Sequence, residues 1–178
     1  FPYTTLFRSP EPPPPVVAAD AVYCFGDPMI DLNAQGQNIS WYTDALLTPP
    51  PVDTGADFTP SGAVGTTTYY ATQTVNGCES APGTATVIVN PLPTAGFYPF
   101  PDEAPITNPG IVFTDNASPD AVSWVWSFGD GDSAIGNLTD IFNGDTVVHI
   151  YSDSGTFVVY QIVTNSFGCK DIAVDTIE

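Results

Sequence analysis

Apolar and polar residues alternate in short runs along this chain, and the runs predict strands rather than helices. Residues 21–25 form a short apolar run. Across 30–34, Ile30, Leu32 and Ala34 alternate with polar neighbours. Residues 38–43 carry Trp41 and Tyr42. A loop rich in Pro, Thr, Gly and Asp fills most of 47–66. The β-favouring run 67–75 ends in Asn76-Gly77, a strong hairpin signal. Residues 83–90, with the string TATVIVN, close this first unit.

Pro91-Leu92-Pro93-Thr94 reads as a linker, and a second series of strands follows at 96–98, 111–114, 122–128, 146–151, 156–165 and 170–177. Short strands separated by turn residues indicate sandwiches. Each unit has about 80 residues, enough for one core. Both units contain a strand, a tight turn and then Gly-Cys, as in TQTVNGCES and QIVTNSFGCKD. We read each as the final hairpin of an immunoglobulin-like topology. The expected fold is therefore all-β, with two tandem immunoglobulin-like β-sandwich domains at 16–91 and 92–178, preceded by a segment at 1–15.

Composition sharpens this picture. With 19 Pro and 15 Gly spread through 178 residues, long helices are disfavoured. A hydrophobic content of 43% is too high for disorder. The formal net charge is −18, with 20 acidic residues against two basic ones, Arg8 and Lys170. Such a surface repels phosphate backbones and anionic headgroups, so no nucleic-acid partner is expected. No run is long enough for a transmembrane helix, and no membrane insertion is expected.

The chain starts with Phe and has no signal-peptide pattern, so it reads as an excerpt of a longer protein. Residues 1–9, FPYTTLFRS, resemble the translated remnant of a sequencing adapter and are set aside; Arg8 goes with them. The alternative is the tail of a preceding strand. Residues 10–15, PEPPPP, suit a stiff extended spacer.

The cysteines are Cys24, Cys78 and Cys169. In an exported chain, Cys24 and Cys78 are expected to form a disulfide within the first unit. It would close a loop of about 55 residues and contribute roughly 4 kcal/mol if unstrained. The alternative is two free thiols. The Cys24 to Trp41 spacing is similar to an immunoglobulin core, but the Tyr two residues before the second Cys is missing there. Cys169 is left to pair beyond this chain or to stay free.

The most specific motif lies in the second unit. Trp124-Val125-Trp126-Ser127-Phe128-Gly129-Asp130-Gly131 is followed by His149-Ile150-Tyr151 and then by Gly155-Thr156-Phe157-Val158-Val159. Trp124, Trp126 and Phe128 fall at period two and share one strand face. Gly129-Asp130-Gly131 reads as a chain reversal. His149 and Tyr151 share a face and read as packing and hydrogen-bonding residues.

These blocks resemble the PKD (polycystic kidney disease) domain over about residues 93–178, with its pattern W-x-W-D-F-G-D-G, then H-x-Y, then G-x-Y-x-V. The resemblance implies an immunoglobulin-like sandwich. Ser127 stands where the family usually has Asp, Phe157 replaces its Tyr, and Gln161 occupies a position usually held by Leu. Either the strand around Gln161 contains a bulge or both its faces are partly buried. The first unit, through Cys24-Phe25-Gly26, Ser40-Trp41-Tyr42-Thr43, Thr68-Tyr69-Tyr70 and Asn76-Gly77-Cys78, resembles the immunoglobulin-like or PKD-like modules that precede PKD domains in bacterial surface proteins.

No catalytic constellation is visible. The chain has one His, no Cys-His zinc pattern and no phosphate-cradling glycine loop. No catalytic residue and no cofactor are expected. Calcium is the one metal to weigh, with Asp115, Asp130 and Asp132 as candidate ligands and Asp153 further off. Solvated turn carboxylates are the alternative, and some PKD domains of collagenase-type enzymes bind calcium. The resulting expectation is a non-catalytic structural or interaction module of a secreted or cell-surface protein, acting as a spacer or in adhesion or display. Its partners would be neighbouring domains and a protein or glycan ligand. The competing expectation is an accessory domain pair of a secreted hydrolase that aids substrate binding. A third is polysaccharide binding through Tyr42, Tyr69 or Tyr98.

Overall fold

A computed structural model describes residues 11–18, 20–103, 105, 107–137 and 146–178. The adapter-like residues 1–9 and Arg8 lie outside the described residues. The chain divides into two compact units between Pro91 and Leu92. All regular structure among the described residues is strand, and no helix is long and apolar enough to cross a membrane.

In the first unit the strands are β1 (Val16–Val17), β2 (Ala21–Cys24), β3 (Leu32–Gln35), β4 (Ile39–Tyr42), β5 (Asp53–Thr54), β6 (Asp57–Phe58), β7 (Gly65–Val75), β8 (Cys78–Glu79) and β9 (Gly83–Asn90). One sheet has the order β1-β3-β6; the other runs β2-β9-β7-β4-β5, with β8 paired to β7. β2 lies parallel to β9 at the sheet's edge. Alternation places the inner residues: Leu32 and Ala34 from β3 face Ile39 and Trp41 of β4, Tyr69 and Ala71 of β7, and Ala85, Val87 and Val89 of β9. β7 reverses into β8 at Asn76-Gly77, both at positive φ (50° and 78°), as a two-residue hairpin loop requires.

The expected Cys24–Cys78 disulfide is not formed. Cys78 is a free thiol, whereas Cys24 and Cys169 are each disulfide-bonded. The strand register gives the reason. Cys24 pairs with Asn90, next to Val89, which pairs with Gly65 at the start of β7. Cys78 pairs with Val75 at the other end of that strand, which is 11 residues long. At about 3.3 Å per residue, the two cysteines are on the order of 30 Å apart along the sheet, whereas a disulfide needs Cα atoms within roughly 7 Å.

The second unit contains β10 (Phe97–Phe100), β11 (Gly110–Asp115), β12 (Ala121–Ser127), β13 (Ser133–Asn137), β14 (Thr146–Ile150), β15 (Phe157–Asn165) and β16 (Lys170–Ile177). The sheets are β10-β11-β14 and β13-β12-β15-β16. Phe97, Ile111 and Phe113 from the first sheet pack against Trp126, Val159 and Ile177 from the second, with Phe128 and Tyr151 completing the core. The chain is thus a tandem pair of β-sandwiches.

Gln161 resolves the question raised by its strand. β15 pairs with β16 in unbroken register, and the register shift falls instead in β12, between Ala121 and Ser123. Gln161 points inward and is fully buried, while Tyr160 on the outer face is 42% exposed and Ile162 is half-buried. Both faces of β15 are therefore partly covered. The buried amide is satisfied: Nε2 donates to Asp115 Oδ1 at 2.7 Å, and Oε1 accepts from Gly96 N at 3.0 Å. This side chain ties β15 to the start of β10 and the end of β11, on the opposite sheet.

Candidate functional site

The motif of the second unit builds one rim of the sandwich. β12 turns Trp124 and Trp126 inward and Val125 outward. Trp126 is surrounded by Phe97, with ring centroids 5.0 Å apart, and by Phe113 at 5.7 Å. Trp124 lies over Gly136 of β13, where an added Cβ would overlap the indole ring. The chain then reverses. Phe128 N donates to Asp132 O at 3.1 Å, and Asp132 N donates to Asp130 Oδ1 at 3.0 Å. Gly129 has φ +85°, and a Cβ there would meet Val158 O at 2.7 Å, so both conformation and space demand glycine.

His149 reaches this turn from β14 in the other sheet. Its ring stacks flat on Phe128, with centroids 4.1 Å apart and planes 3° from parallel. Tyr151 meets it edge-on at 4.5 Å and donates its hydroxyl to Phe128 O at 3.0 Å. Phe157 stacks on Tyr151 at 4.4 Å. Gly131 and Gly155 are exposed, in the turns that lead to β13 and β15. The motif residues Trp124, Trp126, Phe128, Tyr151 and Phe157 thus form one aromatic column, with His149 inserted in it.

His149 Nε2 contacts Asp130 Oδ2 at 2.7 Å. Burial pushes the Asp130 carboxyl up, but the His149 contact, the Asp132 amide and the charge of His149 together outweigh it and hold the pKa below the usual carboxylate range. Burial first, and the Asp130 charge second, push the Tyr151 phenol far up, so it stays protonated as the donor to Phe128 O.

Among the described residues, Asp130, Asp132 and His149 are a group of three whose donor atoms all lie within 4.8 Å of one another. Of the three calcium candidates, the structure unites Asp130 and Asp132 and leaves Asp115 elsewhere. His149 pairs with Ile111, four residues from Asp115 along β11, or about 13 Å of strand. Asp115 Oδ1 is occupied by Gln161 Nε2 and by Ala117 N at 2.9 Å. Asp153 lines a small pocket with Phe157 and Ile177 and is not in the group. Reading along the chain missed His149 as a member because it lies 19 residues from Asp130 and on the other sheet. The lone histidine following an Asp-x-Asp turn was the signal that could have found it.

The tyrosines considered for glycan contact separate. Tyr42 and Tyr69 are buried in the first unit, and Tyr69 accepts Ser61 N at 2.8 Å. Burial, reinforced by Glu79, raises the Tyr42 pKa. Tyr98 is 62% exposed on the outer face of β10, as is Phe100 at 76%.

No curated protein matches the chain. Among solved structures, one described as carbohydrate-binding modules from the β-sandwich superfamily is 30% identical, covering 49% of this chain and 34% of that one, at a TM-score of 0.41. This chain therefore spans about a third of that structure's length. The PKD1 domain of the Vibrio cholerae metalloprotease PrtV is 22% identical, covering 48% of this chain and 94% of that one, at a TM-score of 0.38. The fibronectin(III)-like modules of Clostridium thermocellum CbhA are 15% identical over 90% of this chain and 91% of theirs, at a TM-score of 0.43. At these scores no ligand is carried over. Two family models match: an Ig-like domain, CHU_C associated, over residues 12–91, and a PKD domain over residues 89–178. The chain belongs to the PKD domain family, with an Ig-like domain of the CHU_C-associated kind in front of it.

Proposed function

We propose that this chain is a non-catalytic extracellular module that spaces or displays neighbouring domains of a larger secreted or cell-surface protein, or mediates adhesion through protein or glycan contacts. The observation that carries this reading is what the motif is spent on. Trp126, Phe128, His149, Tyr151 and Phe157 stack on one another, and the polar atoms of His149 and Tyr151 hold the Gly129–Gly131 turn. No nucleophile with an adjacent base stands among them. Disulfide-bonded Cys24 and Cys169 fit an oxidising compartment, and the acidic surface fits a soluble exported protein.

The test is an assay of the purified chain against protein and polysaccharide substrates. No turnover is expected. Turnover that Asp130→Asn abolishes would overturn the reading. A second reading, an accessory module that aids a hydrolase's substrate binding, is favoured by exposed Tyr98 and Phe100 on one strand face. A glycan array tests that surface: signal lost in Tyr98→Ala and Phe100→Ala supports a substrate-binding role for it, and a blank array leaves spacing, display or protein contact as the role.

A further inference from the structure

The grouping at the sandwich rim has a chemistry different from an acidic turn. It joins one imidazole nitrogen to two carboxylates, with every donor within 4.8 Å of the others. We propose that Asp130, Asp132 and His149 bind a borderline divalent transition-metal ion, of which zinc is the model, rather than calcium. Calcium takes six to eight oxygen donors, roughly, and gains little from imidazole. Imidazole with carboxylate suits zinc, cobalt, nickel and copper.

The donors are held from both sheets. Phe128 and Tyr151 fix the imidazole plane, one face-on and one edge-on. The Asp132 amide fixes the Asp130 carboxylate through Oδ1, leaving Oδ2 aimed at Nε2. The 2.7 Å between Nε2 and Oδ2 is a hydrogen-bond distance, and a tetrahedral zinc with donors at about 2.0–2.1 Å needs the two atoms to part to roughly 3.3 Å. The ion replaces the proton those two atoms share as they move apart, and the imidazole keeps its remaining hydrogen on Nδ1. Asp132 is exposed and closes the site from the solvent side. Three protein donors leave a tetrahedral ion one open position for water or a donor from another molecule.

A formal charge of −18 gathers cations nonspecifically, so the test must report on the donors themselves. His149 is the chain's one histidine, so any imidazole signal belongs to it. Untagged protein carrying Cys78→Ser, which removes the free thiol, is titrated with zinc chloride by calorimetry and by nitrogen NMR of the imidazole. The expected result is one zinc per chain, a displaced Nε2 resonance, and no competition from calcium in excess. Asp132→Asn leaves the Asp130–His149 contact in place and should weaken zinc binding by at least about tenfold. Zinc that leaves the imidazole resonances unmoved, equal affinity in Asp132→Asn, or displacement by equimolar calcium would each overturn the proposal.

Discussion

Each unit buries one tryptophan almost completely, and the two are held by different means. Trp41 is fixed by elements distant from it in sequence: its Nε1 donates to Gly55 O at 2.9 Å, and its ring stacks on Phe58 at 5.3 Å. Trp126 is gripped across the sandwich by Phe97 at 5.0 Å and Phe113 at 5.7 Å, and is flanked along its own chain by Trp124 edge-on at 6.3 Å and Phe128 parallel at 6.4 Å. Both cores are assembled from several strands, but the second contains a contiguous aromatic string, Trp124 to Phe128, that the first lacks. A local string can be recognised from sequence, and an assembled core can be recognised only after folding.

The largest effects should test that contrast. Trp126→Ala and Trp41→Ala should each cost about 3–5 kcal/mol in urea denaturation, since both leave a large cavity. A cost below about 1 kcal/mol for either would mean that its core is not organised as described. Next comes Gln161→Leu, which installs the family's usual residue. It strips a partner from Asp115 Oδ1 and from Gly96 N, so about 1–3 kcal/mol should be lost despite the added apolar surface. A gain in stability would show that the buried amide is dispensable.

A smaller effect is expected from acid. The Asp130 carboxyl is depressed in the folded state, so its contribution is fully present above the unfolded value near pH 4, roughly, and is lost as pH falls through the lower folded value. Asp130→Asn should therefore show a flatter decline in melting temperature below that point than the parent protein. Parallel curves would remove Asp130 from the acid response. The smallest effect belongs to Cys78→Ser, which should change stability by no more than about 0.5 kcal/mol and abolish the one free thiol that a thiol reagent detects in the unreduced, denatured chain.

Much of the strand pattern was legible. Residues 83–90 and 170–177 read as strands because β-branched residues alternate there, and both form with those bounds. β5 and β6 were hidden inside the 47–66 loop, because two-residue pairings in a Pro- and Gly-rich segment leave no periodic signal. β13 was missed because SAIGN has only one β-branched residue, Ile135, and no apolar alternation; Gly136 belongs there to admit the Trp124 ring, a requirement set by the neighbouring strand. The cysteine pairing failed for a related reason. Spacing along the chain does not say at which end of an eleven-residue strand each cysteine lies. Asp130 and Asp132 were visible as a turn, but His149 joins them only because the two sheets close over the same core.

The central claim is that the motif of the second unit holds a turn and a core rather than a reacting centre. Tyr151 tests it most directly, because its hydroxyl has one structural duty, the hydrogen bond to Phe128 O. Equilibrium denaturation of Tyr151→Phe should show a loss of about 1–3 kcal/mol, with the strand signal in circular dichroism retained. Stability equal to the parent's would contradict the account.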